Sequence, residues 1–152
     1  MSRTLLTANG ITVTVRDGWD VEFSELAGES PRSLVHLANF SLPVERGDYG
    51  SGAVEIMGSA GIFMVLMEFD ATASSSALFS GGVMPTSLAV ADFSGHTLQR
   101  RIPNQLGTQR FFVASGRPFV LYVVLGSTRT APLLVPEVNR TLTGVSIADS
   151  SQ

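Results

Sequence analysis

Residues 110–126 read R-F-F-V-A-S-G-R-P-F-V-L-Y-V-V-L-G. Two apolar runs rich in Phe, Val and Tyr flank the pair Ser115-Gly116, and this pattern predicts a β-hairpin. A two-residue loop sets Pro118 opposite Val113, where a strand residue donates no N–H to its partner. A three-residue loop would move Pro118 into a pair that needs its N–H, so we favour the two-residue loop.

The second half of this hairpin is apolar on both faces. Residues 119–125 alternate Phe, Leu, Val, Leu on one side and Val, Tyr, Val on the other. A strand of this kind is usually covered on both sides, so we expect it at the centre of a sheet. Residues 62–69, I-F-M-V-L-M-E-F, form a second such run. We expect the two strands to lie side by side or one place apart.

The first hundred residues contain further strand patterns. Apolar residues alternate over 11–15 and over 19–24, with Asp17-Gly18 between them. A three-residue loop, Arg16 to Gly18, would bring the two apolar faces into phase and predicts a hairpin with Val13 opposite Val21. Residues 34–42 form a third strand pattern. A short helix is expected over 53–57.

The remaining segments carry weaker patterns. Short helices are predicted within 76–79 and 88–98, and residues 99–108 lead as a strand or an extended segment into the central hairpin. A helix should begin with Pro136 at its first position and end at Gly144. A short strand over 145–147 follows.

The fold class predicted from these elements is α+β. We expect one domain over residues 1–152, with a mainly antiparallel sheet of about six or seven strands, short helices and one C-terminal helix. Residues 1–8 and 148–152 are expected to fray.

The composition excludes several kinds of chemistry. The chain has no cysteine, and all ten basic residues are arginine, so thiolate, Schiff-base lysine and P-loop lysine chemistry are excluded. The net charge of −3 argues against general binding to nucleic acid. No apolar run reaches the length of a membrane helix, and the first residues lack a signal-peptide pattern. We therefore expect a cytoplasmic protein.

The familiar catalytic and cofactor motifs are missing from the sequence. No nucleophile elbow, dinucleotide fingerprint or Walker motif occurs, and the two histidines, His36 and His96, show no metal-ligand spacing. We predict no cofactor and no metal. His36 lies on the apolar face of its strand and is expected to be a buried, hydrogen-bonded histidine, whereas His96 is expected at the surface.

The polar concentration with the strongest claim to function lies before and within the central hairpin. Arg110 stands opposite Leu121 in the predicted register, so its guanidinium needs a partner. One interpretation is an internal ion pair with Glu68 of the other apolar strand. The other is an anion site or an interface anchor. The candidate ligand or interface residues are Arg110, Arg101, Gln109, Arg117 and Glu68.

A resemblance follows from three features of the chain. The D-G-W turn at Asp17–Trp19, the long central hairpin, and the closing helix with its short strand resemble the plan of small PsbP/Mog1-like domains. The phrase over 110–126 is also similar to uncharacterised actinobacterial proteins, which implies a bacterial source. The first family consists mostly of accessory and binding proteins, and no functional residue is carried over from it.

These observations favour a binding protein over an enzyme. We expect a non-catalytic binding or assembly module that self-associates or joins a larger protein complex. The alternative is a small-ligand-binding or enzymatic domain with a pocket lined by Arg and Gln around Arg110.

Overall fold

The hairpin predicted around Ser115-Gly116 forms one end of a five-stranded antiparallel sheet. In the computed structural model, its strands run over Leu106–Ala114 and Arg117–Leu125. Their register is the predicted one, with Val113 opposite Pro118 and Arg110 opposite Leu121. Ser115 and Gly116 both take positive φ angles, of 52° and 76°, as a two-residue loop of the favoured type requires.

The structure describes residues 3–28, 32–80 and 82–148. The eight strands of this part of the chain are β1 (Arg3–Ala8), β2 (Ile11–Arg16), β3 (Asp20–Leu26), β4 (Arg32–Ala38), β5 (Ile62–Glu68), β6 (Leu106–Ala114), β7 (Arg117–Leu125) and β8 (Val145–Ile147). The α-helices are α1 (Ser51–Ile56) and α2 (Ala131–Thr143). Four single-turn 3₁₀ helices lie at 71–75, 77–79, 90–92 and 95–97.

The strands form two antiparallel sheets. The larger has the order β3-β4-β5-β7-β6, and the smaller has the order β1-β2-β8. The predicted α+β class is confirmed, and β5 lies directly beside β7. The strand count exceeds the predicted six or seven, and there are two sheets instead of one.

The two faces of β7 belong to two separate apolar clusters. Phe119, Leu121, Val123 and Leu125 pack with α2 and with the smaller sheet. Val120, Tyr122 and Val124 pack with α1 and its neighbouring loops. Every residue of β7 is buried, which confirms that it is an interior strand covered on both sides.

The hairpin predicted across Asp17-Gly18 is wrong. The turn forms, and the N–H of Trp19 donates to the carbonyl of Arg16 at 3.1 Å. However, β2 pairs with β1 and β8, whereas β3 pairs with β4. The turn therefore carries the chain from one sheet to the other. The apolar alternation of β3 fits β4 as well as it fits β2, so the pattern alone did not identify the partner.

The prediction that residues 1–8 fray is also wrong for residues 3–8, which form β1. The two-residue turn Asn9-Gly10 joins β1 to β2, and both residues have positive φ angles, of 51° and 80°. At the other end, the N–H of Ala148 donates to the carbonyl of Gly10 at 2.8 Å. Residues 149–152 lie outside the described residues.

Helix α2 begins earlier than predicted. Its first residue is Ala131, with Pro132 in the first turn, so Pro136 lies inside the helix and not at its start. Pro136 lacks the N–H that would donate to the carbonyl four residues earlier, a local cost that the buried face of the helix offsets. Buried Ala131 and Leu134 extend that face backwards. The predicted end at Gly144 and the strand over 145–147 are confirmed.

The short helices lie close to their predicted positions. Helix α1 covers most of the predicted 53–57 turn, and a 3₁₀ turn lies within 76–79. In the 88–98 segment the Ser94 hydroxyl accepts the N–H of His96 at 3.0 Å. Within the described residues, no helix is both long and apolar enough to cross a membrane.

Candidate functional site

The arginine-rich segment predicted from the sequence is divided among separate sites in the structure. Arg117 is the most buried of the candidates, with 7% of its side chain exposed, and its partner Glu68 has 12% exposed. The Arg117 Nε donates to Glu68 Oε2 at 2.9 Å, and its Nη2 donates to Oε1 at 3.0 Å. This is the two-bond geometry that makes arginine–carboxylate pairs strong.

Arg117 also joins the two sheets. Its Nη1 donates to the carbonyl of Asn9 at 2.8 Å and to that of Ala148 at 2.7 Å. The N–H of Ser33 donates to Glu68 Oε1 at 3.0 Å. One ion pair thus connects β4, β5 and β7 with the turn after β1 and the end of β8. This arrangement indicates a structural role for Arg117 and Glu68.

Arg110 has a different partner from the one predicted. Its Nη2 lies 2.9 Å from Asp92 Oδ1, and both side chains are partly exposed, at 41% and 34%. The predicted pair of Arg110 with Glu68 is therefore wrong, because Glu68 is bound by Arg117. The Arg110 Nη1 also donates to Thr108 Oγ1 at 3.1 Å and to the Gln109 carbonyl at 3.3 Å. Arg110 is therefore satisfied by partners at the protein surface.

His36 is buried and hydrogen-bonded on both ring nitrogens, as predicted. Its Nδ1 accepts from Arg46 Nε at 2.6 Å, and its Nε2 lies 2.7 Å from the carbonyl of Asp48. Arg46 also donates to Glu22 and, at 2.6 Å, to the carbonyl of Pro43. Burial lowers the pKa of His36 below its ordinary value, and the charge of Arg46 acts in the same direction. The neutral ring therefore fixes the loop that precedes α1.

Arg101 and Gln105 lie together at a surface cleft of about 360 Å³. Its eight lining residues are Gly95, His96, Leu98, Arg101, Ile102, Pro103, Asn104 and Gln105. The exposed His96 confirms its predicted surface position. The neighbouring Arg100 does not line the cleft and instead donates to Glu55 of α1 at 2.8 Å.

Hydrogen bonds fix the middle and the C-terminal end of the segment that forms this cleft. The N–H of Gln99 donates to the hydroxyl of Tyr122 at 2.7 Å. The Gln105 Nε2 donates to the carbonyl of Val54 in α1 at 2.9 Å. Asn104, with a φ of 73°, accepts the N–H of Thr128 on its carbonyl at 2.8 Å. The cleft is therefore held by the sheet, by α1 and by the turn before α2.

The outer edge of β1 is a second candidate site, and sequence reasoning missed it. Among the described residues, β2 is the one strand paired with β1, so the other side of β1 is open. Residues 4–7 of this strand are exposed, including Leu5 at 68% and Leu6 at 36%. The dipeptide Asn9-Gly10 could have revealed β1, because Asn-Gly is a strong signal for a two-residue hairpin turn.

Comparison with known proteins gives no assignment: no family model matches the chain, and no curated protein or solved structure matches it significantly.

Proposed function

We propose that this protein is a non-catalytic assembly module that self-associates through the open edge of β1. The observation that carries this proposal is the outer side of β1 in the smaller sheet, which pairs with no other strand of the described residues. An open strand edge presents a row of free N–H and C=O groups that pair readily with another strand. Between Thr4 and Ala8 the sequence T-L-L-T-A contains no charged residue and no proline to discourage such pairing.

The geometry of the β1–β2 hairpin identifies the free backbone groups. In a two-residue hairpin the residues beside the loop, here Ala8 and Ile11, exchange hydrogen bonds. Because the backbone groups of successive residues in a strand point to alternate sides, the N–H and C=O of Thr4 and Leu6 also point towards β2. The backbone groups of residue 3, Leu5 and Thr7 point away from β2, towards the open side.

The other three sheet edges are protected in ways that β1 is not. Strand β3 carries three carboxylates, from Asp20, Glu22 and Glu25, within seven residues. Strand β6 is covered where Ser94 and Gly107 exchange two hydrogen bonds, at 2.8 Å and 2.9 Å. Strand β8 is three residues long, and the Ser115 hydroxyl donates to its Ile147 carbonyl at 2.9 Å. Charges, covering segments and short length are the usual protections of an edge.

The occupant we propose for this edge is β1 of a second copy, paired antiparallel about a two-fold axis. In an antiparallel pair, directly opposed residues point to the same face of the sheet. A two-fold axis perpendicular to the sheet keeps each residue on its own face, so the axis must pass between one residue and the same residue of the second copy. Centring the pair on Leu5 engages all the outward groups, because residue 3 then lies opposite Thr7 of the second copy. No two like charges face each other, and the two small sheets become one continuous sheet.

The buried acid–base groups have structural partners, which supports the non-catalytic part of the proposal. Glu68 accepts from Arg117 and from the N–H of Ser33. His36 is held on both ring nitrogens by Arg46 and by the Asp48 carbonyl. Groups bound in this way orient the protein's own loops and strands.

Amide hydrogen exchange tests the self-association directly. In a dimer the N–H groups of Leu5 and Thr7 become protected, and this protection falls on dilution as the dimer dissociates. Leu6 and Ala8 are the internal controls, because their N–H groups bond to β2 whether or not the dimer forms. Rapid exchange of Leu5 and Thr7 at every concentration, with Leu6 protected, would exclude pairing at this edge. A different protein that co-purifies and protects the same two amides would replace the second copy as the occupant.

A further inference from the structure

We infer that the cleft formed by residues 95–105 binds a small carboxylate- or phosphate-bearing molecule through the guanidinium of Arg101. This site lies on the larger sheet, away from the proposed β1 interface, and the inference does not depend on self-association.

The arginines of this protein are almost all neutralised by carboxylates, and Arg101 is an exception. Seven of the nine arginines whose side chains are described form ion pairs with Asp or Glu. Arg101 and Arg129 form no ion pair with any described carboxylate. None of the eight residues that line the cleft is acidic. The cleft therefore has a guanidinium without an ion-pair partner, and no carboxylate in its lining competes with a ligand for that guanidinium. This arrangement suits an anionic ligand.

A second positive charge lies in a chain segment that is hydrogen-bonded to Asn104 of the cleft lining. Thr128 donates to the Asn104 carbonyl from its N–H at 2.8 Å and from its hydroxyl at 3.1 Å. Arg129 follows Thr128 directly. Its charge adds to the local field that attracts an anion to this end of the sheet.

Gln105 provides an independent indication of a ligand. This residue lines the cleft and is 5% exposed, and its Nε2 donates to the Val54 carbonyl. Its Oε1 is buried and has no hydrogen-bond partner among the described residues. An unsatisfied buried acceptor is costly and rare in folded proteins. The oxygen is shielded from solvent, so a ligand donor reaches it only after a small shift of the Gln105 side chain towards the cleft. A hydroxyl or amino group on the ligand would then satisfy this oxygen, which narrows the ligand class to small anions that also carry a hydrogen-bond donor.

The size and rigidity of the cleft fit such a ligand. A volume of about 360 Å³ lies at the lower end of the range for small-molecule sites. The bonds from Gln99 to Tyr122 and from Gln105 to Val54 hold the segment in place before any ligand arrives. A site that is already ordered loses little conformational entropy on binding.

The experiment is a titration followed through the backbone amide resonances of the ¹⁵N-labelled full chain. The probes are inorganic phosphate, malate and succinate, with sodium chloride at matched ionic strength as the control for salt effects. We expect saturable shifts of the 95–105 amides with malate or with phosphate, and whichever of the two saturates identifies the anionic group. Malate should bind more tightly than succinate, because its hydroxyl can donate to Gln105 Oε1.

Substitutions at two neighbouring positions distinguish binding in the cleft from a general electrostatic attraction of anions to the protein. Arg101→Ala should weaken binding of the saturating probe about tenfold or more. Arg100→Ala removes the same charge one residue away and should leave the affinity unchanged, because Arg100 is paired with Glu55. The proposal is overturned if none of the probes saturates, or if the two variants bind alike. Equal affinity for malate and succinate would overturn the role given to Gln105.

Discussion

Arg117 and Glu68 form a nearly buried, two-bond ion pair at the junction of the two sheets. The guanidinium of Arg117 also lies over the ring of Phe119, with its central carbon 5.3 Å from the ring centroid. Each of its three nitrogens donates a hydrogen bond. The pair therefore connects the smaller sheet to the centre of the larger one.

Replacing Arg117 by alanine should strongly destabilise the protein. The substitution leaves the Glu68 carboxylate buried without a cation, a change that typically costs about 3–5 kcal/mol. Urea denaturation of the wild type and of Arg117→Ala measures the difference in free energy of unfolding. The control is Arg140→Ala, which removes an exposed pair with Glu137 on α2 and should cost about 0.5 kcal/mol or less. Similar losses in the two variants would contradict the structural role of Arg117.

Replacing Arg110 by alanine should have a small effect on stability. The ion pair with Asp92 is partly exposed, and such pairs contribute about 0.2–1 kcal/mol. The thermal midpoint of Arg110→Ala should therefore stay close to that of the wild type. A loss comparable to that of Arg117→Ala would show that Arg110 stabilises the sheet as much as Arg117 does, and would contradict its placement in a weak surface pair.

Stability should fall on acidification because of His36. Burial lowers the pKa of His36 in the folded protein below the value of 6.5 that it has when unfolded. Between those two pKa values the unfolded chain binds more protons, so the free energy of unfolding decreases as the pH falls, by at most about 1.4 kcal/mol per pH unit. Well above pH 6.5 both states are neutral at this residue and the contribution is constant.

The measurement is urea denaturation of wild type and His36→Gln at several pH values from neutral to mildly acidic. The groups that face this ring, Arg46, Asp48 and Glu22, are unchanged in the variant. Glutamine does not titrate, so the slope just below pH 6.5 should be shallower in the variant, even if the variant is less stable throughout. Parallel curves for the two proteins would exclude His36 as the source of the slope.

The register of the central hairpin could be predicted from the sequence because two local constraints agree there. The two-residue loop at Ser115-Gly116 and the position of Pro118 permit one register, and the structure has it. The pairing of β3 could not be predicted in the same way. Its apolar alternation is compatible with β2 and with β4, and long-range packing against the larger sheet decides between them.

The candidate sites, like the strand pairs, could be predicted only where the local sequence determines the structure. The composition of the 99–117 segment indicated functional arginines, but ion-pair partners depend on which chain segments meet in space. Asp92 reaches Arg110 from a 3₁₀ turn, and Glu68 reaches Arg117 across the β5–β7 pair. The unpaired state of Arg101 and the buried Gln105 oxygen likewise depend on which chain segments meet in space. No local sequence pattern specifies them.

The most direct test of self-association is the solution mass of the full chain, measured by light scattering from micromolar to millimolar concentration. We expect a concentration-dependent rise from the mass of one chain to that of two. Leu5→Lys should remain monomeric, because the two-fold pair would place two lysines directly opposite each other. Leu133→Lys is the matched control, since Leu133 is also exposed, at 75%, but lies on α2, and this variant should dimerise like the wild type. A wild-type chain that stays monomeric throughout, or a Leu5→Lys variant that dimerises normally, would contradict the proposed assembly.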